Sequence, residues 1–146
     1  MKVVINGCFG GFGLSAEAIY EYAKLKGINV YGYVEVREEG QKMQDAKYRR
    51  MTLESIDAEK PFITFWLLDD IGELADNEKL NNANWFHENE IKRDDEALIK
   101  VVKKLKGKAN GHCASLRIVE IPDGTDYVVE EYDGSEHIAE KHQTWR

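Results

Sequence analysis

The chain has 146 residues, 42% of them apolar, and a formal net charge of −7 at pH 7. That is the size and apolar content of one domain with a single core, and the negative balance argues against a broad basic face for duplex nucleic acid. No apolar run approaches the ~18 residues of a membrane-crossing helix. The short apolar stretch after Lys2 is no secretion signal, and two cysteines are too few for a disulfide framework. A reduced, cytoplasmic protein with one domain over residues 1–146 is expected.

Residues 3–5, Val-Val-Ile, form an apolar run without alternation, which predicts a short strand buried on both faces. The run leads into Asn6-Gly7-Cys8-Phe9-Gly10-Gly11-Phe12-Gly13-Leu14-Ser15, four of whose ten residues are glycine. Residues 16–26 then predict a helix with Ser15 as N-cap, Glu17 suited to the helix dipole, and Gly27 as a left-handed stop. Residues 28–36 predict a strand, with Val30, Gly32, Val34 and Val36 on one face and Tyr31, Tyr33 and Glu35 on the other. If the two strands are parallel, their crossover is right-handed.

Residues 37–60 are charge-rich and read as an exposed loop with a short helix near 42–51. Residues 62–68, Phe-Ile-Thr-Phe-Trp-Leu-Leu, predict a strand, followed by a short helix through Ala75 capped by Asp69 or Asp70. Residues 77–93 lack a period and read as irregular. Residues 94–106 give the strongest helix signal. Leu98, Val101, Val102 and Leu105 form one stripe, Asp94 caps the start and Gly107 ends it. The lysines at its far end suit a solvated, dipole-complementing face. Strands follow at 116–121 and 127–132, joined by a Pro122 turn, and Asp133-Gly134 signals a hairpin returning along 136–141, where a short C-terminal helix competes. The sum is an α+β fold: one mixed, mainly antiparallel sheet, an N-terminal strand-helix-strand unit and two principal helices.

The glycine stretch is the main candidate for a site. A glycine-dense turn between a strand and a helix start leaves backbone N–H groups for an anion. It has no Gly-Lys-Ser/Thr of a phosphate loop, and although Gly11, Gly13 and Ala16 satisfy a loose dinucleotide fingerprint, the chain is too short for a full Rossmann domain. A tight turn with core phenylalanines and a ligand loop with Phe9 or Phe12 stacking on a base both fit these residues. Cys8 before a helix start is a possible nucleophile, but its histidine base cannot be identified in the sequence. No His/Cys spacing matches a metal site, no carboxylate pair stands out as acid and base, and no cofactor is expected. Trp85, Phe86 and the asparagines at 81, 82 and 84 suit base recognition or a subunit interface equally.

The N-terminal segment from Val3 to Ser15 resembles a family of small proteins of tailed phages and prophages. The resemblance returns at Arg93-Asp94-Asp95-Glu96-Ala97-Leu98, at Lys108-Ala109-Asn110-Gly111, and from Val119-Glu120-Ile121-Pro122-Asp123 to the Glu131–Trp145 end, about half of the chain. Residues 37–91 carry no matching motif. The profile is similar to that of phage anti-defence sponges, cytoplasmic oligomers that sequester cyclic-nucleotide immune signals. The resemblance implies a non-enzymatic binder of a small nucleotide such as a cyclic dinucleotide, a homo-oligomer. Asn6, Gly10, Gly11, Gly13, Ser15, Arg93, Asn110, His112 and His142 would serve as donors or pocket walls, and Phe9, Phe12 and Trp85 as stacking planes. A small thiol- or nucleotide-dependent enzyme using Cys8, and a protein inhibitor of a host enzyme, are the competing readings.

Overall fold

The computed structural model describes residues 1–141. It is an α+β structure of four α-helices and eight strands, every strand pairing among the described residues being antiparallel. No helix among these residues is long and apolar enough to cross a membrane. The chain forms two compact units, Met1–Tyr22 with Glu88 onward, and Ala23–His87.

In the first unit β1 (Lys2–Asn6) pairs with β6 (Leu116–Glu120), with Val4 opposite Ile118. Val3, Val4, Ile5 and Asn6 are all buried, as a strand without alternation requires. The expected parallel partnership of β1 with the next strand does not form. That strand lies in a separate sheet, and Val4 N–H is taken by Arg93 O at 2.8 Å. Helix α4 (Glu96–Leu105) lies against β1 and β6 and buries Leu98, Val101, Val102 and Leu105, the predicted stripe. Its cap is Asp95 rather than Asp94: Asp95 Oδ1 accepts from Ala97 N at 2.8 Å and Leu98 N at 3.2 Å. The helix ends at Lys106 in a positive-φ conformation, one residue before the expected Gly107. The hairpin of β7 (Tyr127–Tyr132) and β8 (Ser135–Glu140) turns on Asp133 and Gly134, φ 49° and 88°, so its second arm is a strand and not a helix. Helix α1 (Ala16–Lys26), within which the division into units falls, starts where Ser15 Oγ accepts from Ala18 N at 3.1 Å and stops at Gly27, φ 70°.

In the second unit β2 (Tyr31–Val36) lies between β3 (Lys47–Met51) and β4 (Phe65–Leu67), with β5 (Leu74–Asp76) at the far side of β3. Tyr33, Ala46, Tyr48, Leu67 and Leu80 make its core. Gly32 in this central strand leaves room for the side chains of Ile56, Thr64 and Trp66, which would lie 3.2 Å from a Cβ there. Residues 37–60 are not an open loop with one helix. They hold β3 and the capped helix α2 (Leu53–Glu59), with a 3₁₀ turn at Met43–Asp45. The charges misled because β3 buries Tyr48 and Met51 while Arg49 pairs with Glu59 and Arg50 with Asp70. The helix expected after Asp69 is replaced by β5, since Asp70 Oδ1 accepts from Gly72 N and Tyr33 Oη and is tied up in a turn. Asp76 instead caps α3 (Asn77–Asn82) within the stretch read as irregular.

Candidate functional site

Asn6 ends β1 completely buried and organises everything that follows. Its Nδ2 donates to Cys8 O and Gly134 O, both at 2.8 Å, and its Oδ1 accepts from Ser115 N at 2.8 Å. The amide thus joins the glycine stretch to the 111–115 loop and to the tip of the β7–β8 hairpin. Its donor and acceptor capacity is used within the chain, so Asn6 is a structural pin and not a ligand contact.

The glycines follow the same logic. A Cβ on Gly10 would overlap the carbonyl oxygen and Cβ of Cys113, and one on Gly134 would overlap Gly11 N. Gly11 has φ 96°, where a side chain is strained. Gly111 N–H donates to Gly13 O at 2.9 Å, and Gly111 leaves no room for a Cβ against the Gly13 carbonyl carbon at 2.8 Å. Backbone meets backbone at Gly10, Gly111 and Gly134, and the positive φ of Gly11 adds a conformational reason for a fourth glycine.

Arg93 is held by a carboxylate the sequence did not single out. Its Nη1 and Nη2 donate to the two oxygens of Glu136 at 2.6 and 2.9 Å, and Glu136 Oε1 also accepts from Asn6 N at 2.7 Å. The guanidinium lies 3.6 Å from the centre of the Phe12 ring. The side chains of Arg93 and Glu136 are 16% and 6% exposed, so Arg93 is an internal clamp rather than a free anion donor. Phe12 is half-buried beneath it. Glu88, a second unforeseen carboxylate, accepts from Leu14 N at 2.8 Å, and its burial pushes its own pKa up. One N–H at the end of the glycine stretch is therefore already occupied by a carboxylate of the chain.

Other candidates divide in the same way. Ser15 N donates to Ala109 O and Ser15 Oγ to Lys108 O at 2.6 Å, so Ser15 serves helix and strap. Asn110 Oδ1 accepts from Leu116 N at 2.9 Å. Trp85 belongs to the second unit, where its Nε1 donates to Leu80 O at 3.0 Å and its ring meets Phe65 edge-on at 5.7 Å. It is partly buried against that unit's core. His112 is exposed on the 111–115 loop, and His142 lies outside the described residues. Cys8 Sγ donates to Cys113 O at 2.8 Å and Asn6 Oδ1 at 3.3 Å, so its partners among the described residues are oxygens. No group of three or more metal-ligating side chains occurs among the described residues. Grooves of about 420 Å³ beside Met1, Asp94 and Glu120 and of about 450 Å³ beside Asp69 and Asp76 touch none of the predicted site residues.

What the packing does not use is the outer side of the loop. The Phe9 side chain is 68% exposed. Among the described residues, the backbone N–H groups of Phe9, Gly10, Phe12 and Gly13 make no hydrogen bond. Charge clamps and glycine contacts hold this segment, while the Phe9 ring stays exposed and these N–H groups stay without an acceptor among the described residues. Glu88 and Glu136 gave no signal in the sequence, because each is one carboxylate among many and its partner is distant along the chain.

No family model matches the chain, and no curated protein or solved structure is significantly similar to it. The likeness to the phage and prophage proteins rests on the motifs quoted above.

Proposed function

We propose that the protein is a non-enzymatic binder of a small nucleotide, a cyclic dinucleotide or a related signal, and that it acts by sequestration as a phage anti-defence sponge. The observation that carries this reading is the unused donor set of Phe9, Gly10, Phe12 and Gly13 beside the exposed Phe9 ring. Backbone donors suit phosphate oxygens, and an exposed ring suits a base plane. The loop is held in place by Asn6 and the Arg93–Glu136 clamp, so a ligand would meet a largely preformed surface. Sequestration needs binding without turnover, and the hydrogen bonds of Cys8 to two oxygens fit a structural thiol better than an activated nucleophile. Assembly of several copies is part of the same reading, supported by the exposed Ile63 and Leu74 of the second unit.

Calorimetric titration with a panel of cyclic di- and trinucleotides tests the proposal. Binding by one member is expected, with Phe9→Ala weakening it at unchanged melting temperature and Cys8→Ala leaving it in place. No heat with any member refutes it. Recovery of a chemically altered ligand transfers the assignment to the enzyme reading.

A further inference from the structure

We propose that Cys8 and Cys113 are an oxidisable thiol pair that closes into an intramolecular disulfide when the protein meets a hydroperoxide. The inference stands apart from the nucleotide reading, since it uses only the packing behind the glycine stretch. Both cysteines are free thiols, Cys113 exposed and Cys8 half-buried. Two separate contacts bring them together. Cys8 Sγ lies 2.8 Å from Cys113 O. A carbonyl oxygen sits about 2.4 Å from its own Cα, which places Cys8 Sγ within about 5 Å of the Cys113 Cα. The second contact is steric: Gly10 rests directly on the Cβ and carbonyl of Cys113, so the turn that carries Cys8 is seated against the Cys113 side chain itself.

A disulfide needs Cα atoms about 4.4–6.8 Å apart and Cβ atoms about 3.5–4.5 Å apart. The approach of Cys8 Sγ to the Cys113 backbone is of that scale, and closing the bond calls for rotation of the two thiols toward each other and a shift of the glycine-flanked turns. Gly7, Gly10 and Gly11 bracket Cys8, and Gly111 precedes Cys113 by two residues. These are the positions at which a backbone adjusts at least cost. Asn6 already ties the same two loops through Cys8 O and Ser115 N, so the approach survives without the cross-link.

The reaction balances with a hydroperoxide as oxidant. The exposed Cys113 thiolate attacks one peroxide oxygen, the O–O bond breaks, and the released oxygen leaves as water or alcohol after taking a proton. Cys113 becomes a sulfenic acid. The Cys8 sulfur then attacks that sulfur, the S–O bond breaks, and the hydroxyl leaves as water with the Cys8 proton. Two thiols are oxidised by two electrons and one peroxide is reduced. The cross-link would fasten the glycine stretch to the 111–115 loop and would be lost again to a thiol reductant.

The test uses the wild-type protein treated with hydrogen peroxide and compared with dithiothreitol-treated protein by intact mass, thiol titration and non-reducing peptide mapping. The expected result is joint loss of both thiols, a mass lower by two hydrogens, a peptide pair linking Cys8 to Cys113, and full reversal by dithiothreitol. In Cys8→Ser, Cys113 should pass on to sulfinic acid because its resolving partner is gone. Oxidation of Cys113 to sulfinic or sulfonic acid in the wild type with Cys8 still a thiol, cross-links between chains only, or no reaction at either thiol would each overturn the proposal.

Discussion

Replacing Asn6 with alanine removes a buried side chain that joins three segments of the first unit. Four hydrogen bonds to main-chain groups are lost: from Nδ2 to Cys8 O and Gly134 O, and from Cys8 N and Ser115 N to Oδ1. An orphaned buried polar group costs about 1–3 kcal/mol. Because the loop carbonyls are only partly buried and regain some water, the sum should fall near 3–5 kcal/mol. That is a large share of the ~5–15 kcal/mol that keeps a domain folded. With a urea slope of about 2 kcal/mol/M the unfolding midpoint should drop by ~2 M. Equilibrium urea unfolding followed by circular dichroism reads this directly. Asn6→Asp should be nearly as harmful, because it keeps the acceptor for Ser115 N but faces two carbonyls without a donor. Phe9→Ala, an exposed site, should stay within about 0.5 kcal/mol of wild type. If Asn6→Ala shifts the midpoint no more than Phe9→Ala does, the glycine stretch is not held by this amide and the account of a preformed loop fails.

Arg93→Met leaves Glu136 as a buried carboxylate without its bidentate partner, and thermal and urea unfolding should report a loss of about 3–5 kcal/mol. Gly10→Ala drives a methyl group into the Cys113 carbonyl, and the same measurements should show a cost of about 1–3 kcal/mol. Glu88 gives a pH signature. Burial raises its folded-state pKa above the ordinary 4.5, with the Leu14 N–H opposing in part. The folded protein therefore holds this proton more tightly than the unfolded chain, so its contribution is fully present at acid pH and is lost as pH rises through the raised value. Glu88→Gln, which keeps an acceptor for Leu14 N, should be more stable than wild type at neutral pH, with the difference vanishing toward pH 4. An advantage that grows in acid would contradict the sign.

Where local chemistry decides the structure, the residues were readable. Ser15 at a helix start, Gly27 at its end, Asp133-Gly134 in a hairpin and the Leu98–Leu105 stripe each carry their cause in a few neighbouring residues. Where distant partners decide, reading failed. Arg49 and Arg50 made 37–60 look solvated, because nothing nearby shows that Glu59 and Asp70 neutralise them in a sheet. Arg93 looked like an anion donor until Glu136 appeared opposite it. Trp85 looked like a stacking plane although Phe65 and the Leu80 carbonyl claim it. The glycine stretch was legible as a turn of unusual density. Its reason, close approach to Cys113, Gly111 and Gly134, lies more than a hundred residues away in each case but one.

The division of the chain has a consequence for biosynthesis. The second unit is one uninterrupted segment, Ala23–His87, while β1 finds its strand partner only at Leu116–Glu120. A ribosome releases β1 well before its partner β6. The contiguous segment can close while translation continues, whereas the unit built from both flanking segments waits for β6 and for a long loop closure. During that interval the apolar Val3-Val4-Ile5 run is exposed, with no edge to pair against. Ala23–His87 is therefore expected to close before β1 meets β6, and pulse-labelled hydrogen exchange during refolding should show protection there first.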